Sequence, residues 1–173
     1  MAQESWLSGN LEGIAPVLMP AAHALVQAAI DIEQAGKFLT PEEIWMKPNG
    51  APSFAFHLQH IAGSIDRLLT YAKGEKLNTE QFAKLAAEAE FDENIDTQTL
   101  INTTSERIGE AVDFLRLVDL EILFEKRVVG RLELPTNVFG LLFHIAEHTQ
   151  RHAGQAITTA KVVHNHLSGG FSD

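Results

Sequence analysis

Hydrophobic positions recur at three- and four-residue spacing through four long stretches of the chain, which predicts four amphipathic helices. The first runs from about Ile14 to Ala35, with Pro16 and Pro20 in its opening turns and Gly36 as its stop. Thr40-Pro41-Glu42-Glu43 reads as a capping box that opens a short helix through Trp45, and Lys47 to Pro52 reads as a loop. The second long helix spans about Ser53 to Lys73 and ends at Gly74. A short helix from Thr79 to Glu88 follows, capped by Asn78, and the acidic stretch from Glu88 to Asn94 reads as a solvated loop. Asp96 caps the third long helix, expected over Thr97 to Phe124. Arg127 to Leu134 reads as short extended pieces around Gly130, a candidate hairpin, and Pro135-Thr136 introduces the fourth helix, Thr136 to Val163. The polar, Gly/Ser-rich tail from His164 to Asp173 is expected to fray. The pattern predicts an all-α protein: a four-helix bundle with short accessory helices and a small hairpin before the last helix. No repeat or dividing linker interrupts it, so residues 1–173 are expected to form a single domain.

The polar positions on two of these helices are unusual. On the fourth, Val138, Leu142, Ile145, Thr149, Ala153, Ala156, Ala160 and Val163 form one stripe. His152 lies about 70° from its centre, His148 about 110° and His144 about 150°, so His148 and His152 flank the core while His144 tends toward solvent. Gln155 lies beside His148. On the second helix the stripe is Phe54, Leu58, Ile61, Ile65, Leu68, Leu69 and Ala72. His57 lies about 60° from it and His60 about 120°, with Phe56, Gly63 and Arg67 on the same side. Core proximity favours His57. An open ligand site at the core edge favours His60, where Gly63 would leave room for a substrate. Helical periodicity leaves both open. Arg67 is either a surface partner of Ser64 or Thr70 or an anion-binding group at a site mouth.

Composition narrows the chemistry. The 173 residues are 45% hydrophobic and 21% charged, near globular averages, which argues against wholesale disorder. The absence of cysteine excludes disulfides, thiolate-ligated zinc, iron–sulfur clusters and a cysteine nucleophile. A formal charge of −10 without a Lys/Arg cluster disfavours nucleic acid and anionic membranes as partners. With no long apolar run and no basic-then-apolar start, the expected compartment is the cytoplasm. Eight histidines are therefore the main source of chemistry.

Two motifs, His60-Ile-Ala-Gly-Ser-Ile-Asp-Arg67 and His148-Thr-Gln-Arg-His152-Ala-Gly154-Gln155, resemble those of the DinB-like superfamily. These proteins are damage-inducible-type four-helix bundles that include thiol-dependent S-transferases. The resemblance extends from about Ile14 to Val163, including Leu39-Thr-Pro-Glu-Glu-Ile-Trp45. It implies a divalent metal held by one histidine of the second helix and an i, i+4 pair of the last, which here are His60, His148 and His152. Phe56, His57, Gly63, Arg67, His144 and Gln155 would then be pocket or supporting residues. Characterised members transfer or isomerise through bacillithiol, mycothiol or glutathione, so the resemblance implies a homodimeric, metal-dependent transferase or hydrolase acting on a small molecule. The reacting group would be a water or thiolate on the metal, with zinc or nickel favoured and manganese or iron compatible with imidazole ligands. The alternative is a non-catalytic metal-binding or stress-associated dimeric bundle. Specificity would come from the Lys47–Pro52 loop, the Arg127–Leu134 segment, Phe56 and Arg67.

Rival motifs are weaker. His144-Ile-Ala-Glu147-His148 matches the inverted zinc-peptidase pattern, but the only acidic residue after it is Asp173. A di-iron carboxylate site requires Glu-x-x-His, which does not occur. A lone half-buried histidine is usually a hydrogen-bonded core residue; three on one face of adjacent helices favour metal. His23 is expected on a helix surface, His164 and His166 in a solvated tail.

Overall fold

The computed structural model describes residues 3–167, with side chains through His164. Among the described residues, five α-helices form: α1 (Met19–Gly36), α2 (Phe54–Ala72), α3 (Thr79–Ala87), α4 (Thr97–Leu117) and α5 (Val138–Leu167). A two-stranded antiparallel hairpin, β1 (Lys126–Val129) and β2 (Leu134–Asn137), precedes α5. The fold is the expected all-α bundle. Each of α1 and α2 packs against both α4 and α5, while α3 lies against α2.

The apolar stripes close the core as their spacing requires. Every residue of the α2 and α5 stripes is buried, with Phe54, Leu58, Ile61, Ile65, Leu142 and Ile145 almost wholly so. Helix starts follow local capping chemistry. Ser53 accepts from Phe56 N, Asp96 from Thr99 N, and Asn78 and Gln81 form a reciprocal box. The Thr40–Glu43 box forms in both directions, at 2.7 and 3.3 Å, but opens only a single 3-10 turn, Glu43–Trp45.

Several boundaries differ from expectation. Regular α1 begins at Met19, because the segment around Pro16 forms turns instead. α4 stops at Leu117. Val118 is extended, and Asp119 caps a separate 3-10 turn that places Leu123 in the core. Pro135 belongs to β2, opposite Val128, where a two-stranded ribbon tolerates a residue without an N–H. The start of α5 is instead capped by Asn137, whose Oδ1 accepts from Gly140 N at 2.7 Å. The hairpin loop turns on Gly130 and Glu133, both at positive φ.

α5 runs four residues beyond Val163. His164 is therefore helical, 3.8 Å from Glu43 and beside the Phe38 ring, rather than part of a solvated tail. The side chain of His166 and the rest of the expected tail lie outside the described residues. His23 is buried, not on the surface; its Nε2 pairs with Gly9 O at 2.8 Å and fastens the N-terminal segment to α1. Among the described residues, no helix is long and apolar enough to cross a membrane.

Candidate metal centre

α2 and α5 run antiparallel: Thr159 meets Pro52 at one end, and Arg127, shortly before α5, meets Ala72 at the other. This register puts the middle of α2 beside the middle of α5. His60 lies one helical turn from Ser64 and two from Arg67 on the same face, and His148 and His152 are one turn apart. The ring centroids of His60 lie 5.1 Å from His148 and 4.5 Å from His152, and His148 and His152 are 4.5 Å apart. One nitrogen from each ring lies within 4.8 Å of the others, and all three residues are half-buried. These side chains can hold one metal ion.

A second group engages Nδ1 of each ring. Glu88 Oε2 is 2.7 Å from His60 Nδ1, Ser64 Oγ is 3.4 Å from His148 Nδ1, and His57 Nδ1 is 3.1 Å from His152 Nδ1. These contacts leave Nε2 of each ring for a ligand, the arrangement in which an outer partner orients a metal-binding imidazole. Burial pushes His57, His148 and His152 down to about 4, and the neighbouring imidazoles add to the shift. Near neutral pH those rings are therefore neutral and carry a lone pair, as metal ligation demands.

His57 is almost fully buried, so it is the histidine of α2 nearer the core, as its angle implied. It supports His152 and is not one of the converging three. Phe56 stacks on His60, with centroids 5.6 Å apart and planes within 11°, and closes one side of the site. His144 is exposed. It pairs with Glu147 at 2.6 Å, and Glu147 is also held by Arg151. The glutamate of the peptidase-like motif is thus tied to His144 and Arg151 on its own helix, while His148 of that motif belongs to the converging three. Gln155 is exposed and makes no side-chain hydrogen bond among the described residues, so it does not support His148.

Three expectations are corrected here. Glu88 is 5% exposed and binds both His60 and Arg67, so the acidic stretch does not begin in solvent. Arg67 is neither a surface residue nor a free anion receptor; it is buried with Nη1 2.7 Å from Glu88 Oε1. The space that Gly63 leaves beside His60 is taken by an ion pair. A Cβ there would meet the Glu88 carboxylate and come 2.7 Å from Arg67 Nη1. Beyond the pair, a cleft of about 420 Å³ opens among α2, α3 and α4, lined by Arg67, Glu88, Phe91, Thr103 and Arg107. The hairpin sits at the far end of α2, about 18 Å along the helix from His60 at 1.5 Å per residue, so it does not border the histidines.

Glu88 and Ser64 are the two site residues that sequence reasoning missed. Ser64 was legible, being four residues after His60 on the same face. Glu88 left only an indirect trace: a cationic Arg67 beside a glycine on a half-apolar face needs an anion from elsewhere in the chain.

With this geometry in view, comparison with known families is decisive. The sequence profile described as the DinB superfamily matches residues 24–156, most of the chain. The protein belongs to the DinB superfamily. The match begins inside α1 and ends inside α5, so it contains both histidine-bearing motifs and Glu88. No curated protein matches the sequence. The DinB assignment thus accounts for the bundle and its convergent histidines, and names no reaction.

Proposed function

We propose that His60, His148 and His152 hold one divalent cation, zinc or nickel in first place and manganese or iron by the same donors, at the centre of a metal-dependent transferase or hydrolase for a small molecule. The observation that carries this reading is the convergence of three imidazoles whose Nδ1 atoms are all engaged elsewhere. Three neutral ligands leave the cation its full charge and leave coordination positions open, unlike the four-ligand closure of structural zinc sites. When bound, such a cation supplies Lewis acidity that lowers the pKa of a water or thiol ligand.

The chain's own residues do the rest. Glu88, Ser64 and His57 aim the three rings, Phe56 shields His60 from water, and the absence of cysteine means that any thiol must be a diffusible low-molecular-weight one. His152 can ligate through Nε2 only with its hydrogen on Nδ1, so His57 accepts at its own Nδ1. The site stands on the α2–α5 seam, and the assembly we propose is a homodimer in the cytoplasm.

One observation favours the non-catalytic reading. The clefts beside α3, beside the hairpin and beside His164 are all lined by residues other than the three histidines. Cobalt substitution separates the two. In the thiol-transferase reading, a low-molecular-weight thiol added to cobalt-loaded protein produces a thiolate charge-transfer band in the near ultraviolet, and His152→Ala abolishes it. A spectrum unmoved by bacillithiol, mycothiol, glutathione and simple thiols refutes thiol transfer, leaving hydrolysis or a non-catalytic dimer, whose subunit count light scattering reads directly.

A further inference from the structure

His60 and Arg67 sit two turns apart on one face of α2 and both address a single carboxylate that arrives from the end of α3. Glu88 Oε1 takes Arg67 Nη1 and Oε2 takes His60 Nδ1, each at 2.7 Å. Gly63 lies between the two partners, and any Cβ at that position would displace the carboxylate. A carboxylate accepts and cannot donate. A guanidinium donates and does not lose its proton, so it occupies Oε1 permanently. The oxygen left for His60 therefore requires a hydrogen on Nδ1. In the neutral ring the lone pair must then be on Nε2, the nitrogen available to a cation.

We propose that Glu88 is a positioning residue that sets the tautomer of His60, with Arg67 anchoring the carboxylate and Gly63 making room for it. The tautomer assignment stands on the hydrogen-bond geometry; its consequence for affinity rests on the metal-site reading above. Without the carboxylate the choice of tautomer passes to whatever Nδ1 meets next. Glu88→Gln turns this into a sharp test, since an amide of nearly the same shape offers one acceptor and one donor to two donors. The permanently charged Arg67 takes the amide oxygen, and the NH2 faces His60 Nδ1. That nitrogen must then accept, which moves the hydrogen to Nε2, so ligation must first pay to move it back.

The experiment compares wild type and Glu88→Gln as full-length, metal-free protein at about pH 8, where an ordinary imidazole is neutral. Long-range proton–nitrogen correlation spectra of the histidine rings, assigned with His60→Asn, report the tautomer. Zinc competition against a chromophoric chelator reports affinity. The expected result is hydrogen on Nδ1 of His60 in wild type, hydrogen on Nε2 in Glu88→Gln, and zinc affinity lower by about 10–100-fold in the variant. Hydrogen on Nε2 in wild type overturns the proposal, and that spectrum decides alone if the variant does not fold. An unswitched tautomer in a folded Glu88→Gln also overturns it, as does zinc affinity within about twofold of a zinc-binding wild type. A tautomer switch in a protein that takes up no zinc would support the Glu88 assignment and sink the metal-site reading instead.

Discussion

Two clusters built from the same three residue types invite comparison. His60, Glu88 and Arg67 form one; His144, Glu147 and Arg151 form the other, and in both a glutamate bridges a histidine and an arginine at 2.6–2.9 Å. The second lies on consecutive turns of α5, with side chains 36–52% exposed. Water competes for every one of its contacts, and pairs of this kind contribute about 0–1 kcal/mol. The first draws on α2 and the segment after α3, and its glutamate and arginine side chains are only 7% and 10% exposed. There both charges are largely withdrawn from water, and removing one side of such a pair costs about 3–5 kcal/mol. Identical chemistry thus decorates one surface and organises the other. The difference is the environment, which sequence distance conceals: 3 and 4 residues separate the partners of the exposed cluster, 28 and 21 those of the buried one.

The largest expected effect breaks the comparison at the histidines. His60→Ala, His148→Ala and His152→Ala should each abolish stoichiometric binding of a divalent metal, because two ligands make only a weak site. His144→Ala and His23→Ala should retain it. Metal titration of the five variants checks this, and full binding by His60→Ala with loss in His57→Ala would show that the wrong histidine of α2 was chosen. Next comes the glutamate pair. Glu88→Ala should lower the unfolding free energy of the metal-free protein by about 3–5 kcal/mol in urea titrations, whereas Glu147→Ala should change it by about 0.5 kcal/mol or less. Equal losses would mean that the buried cluster is as solvated as the exposed one.

Metal removal should act more gently. The core depends on the apolar stripes, so EDTA should leave the helical circular-dichroism signal intact at room temperature. It should lower the melting temperature only by linkage, about 3 kcal/mol for metal at 100 times its Kd. Collapse on chelation would make the ion structural. The last effect concerns pH in the metal-free state. His57, His148 and His152 titrate near 4 when folded and near 6.5 when unfolded, so the unfolded chain binds more protons between those values. Their contribution to stability is complete above about pH 6.5 and is lost as pH falls toward about 4. The melting temperature should fall along that window, by less in His57→Leu than in wild type; a flat profile would show that these rings are solvated.

What the sequence determined by itself is local in origin. The four helices follow from hydrophobic spacing. The caps at Thr40, Ser53, Asn78 and Asp96 follow from side chains that reach only two or three residues, or arise at positions where periodicity already placed a helix start. The ranking of His148 and His152 above His144 follows from angle alone. Periodicity could not choose between His57 and His60, because both lie on the same side of α2; the motif resemblance selected His60, and the fold is what brings it to the α5 pair. Where a helix yields to a neighbour, local rules failed. α4 stops at Leu117 so that Leu123 can reach the core, and Pro135 is a strand residue because β1 offers it a partner. Glu88 shows the limit most plainly. Read along the chain it opens an acidic loop, where solvation is the reasonable expectation. Only the packing of α3 on α2 carries it to a position between His60 and Arg67, against a glycine small enough to admit it, and makes its charge part of the site. Burial and partnership across 20 or more residues are properties of the packed bundle, since the free energy of a charge is set by what surrounds it in space.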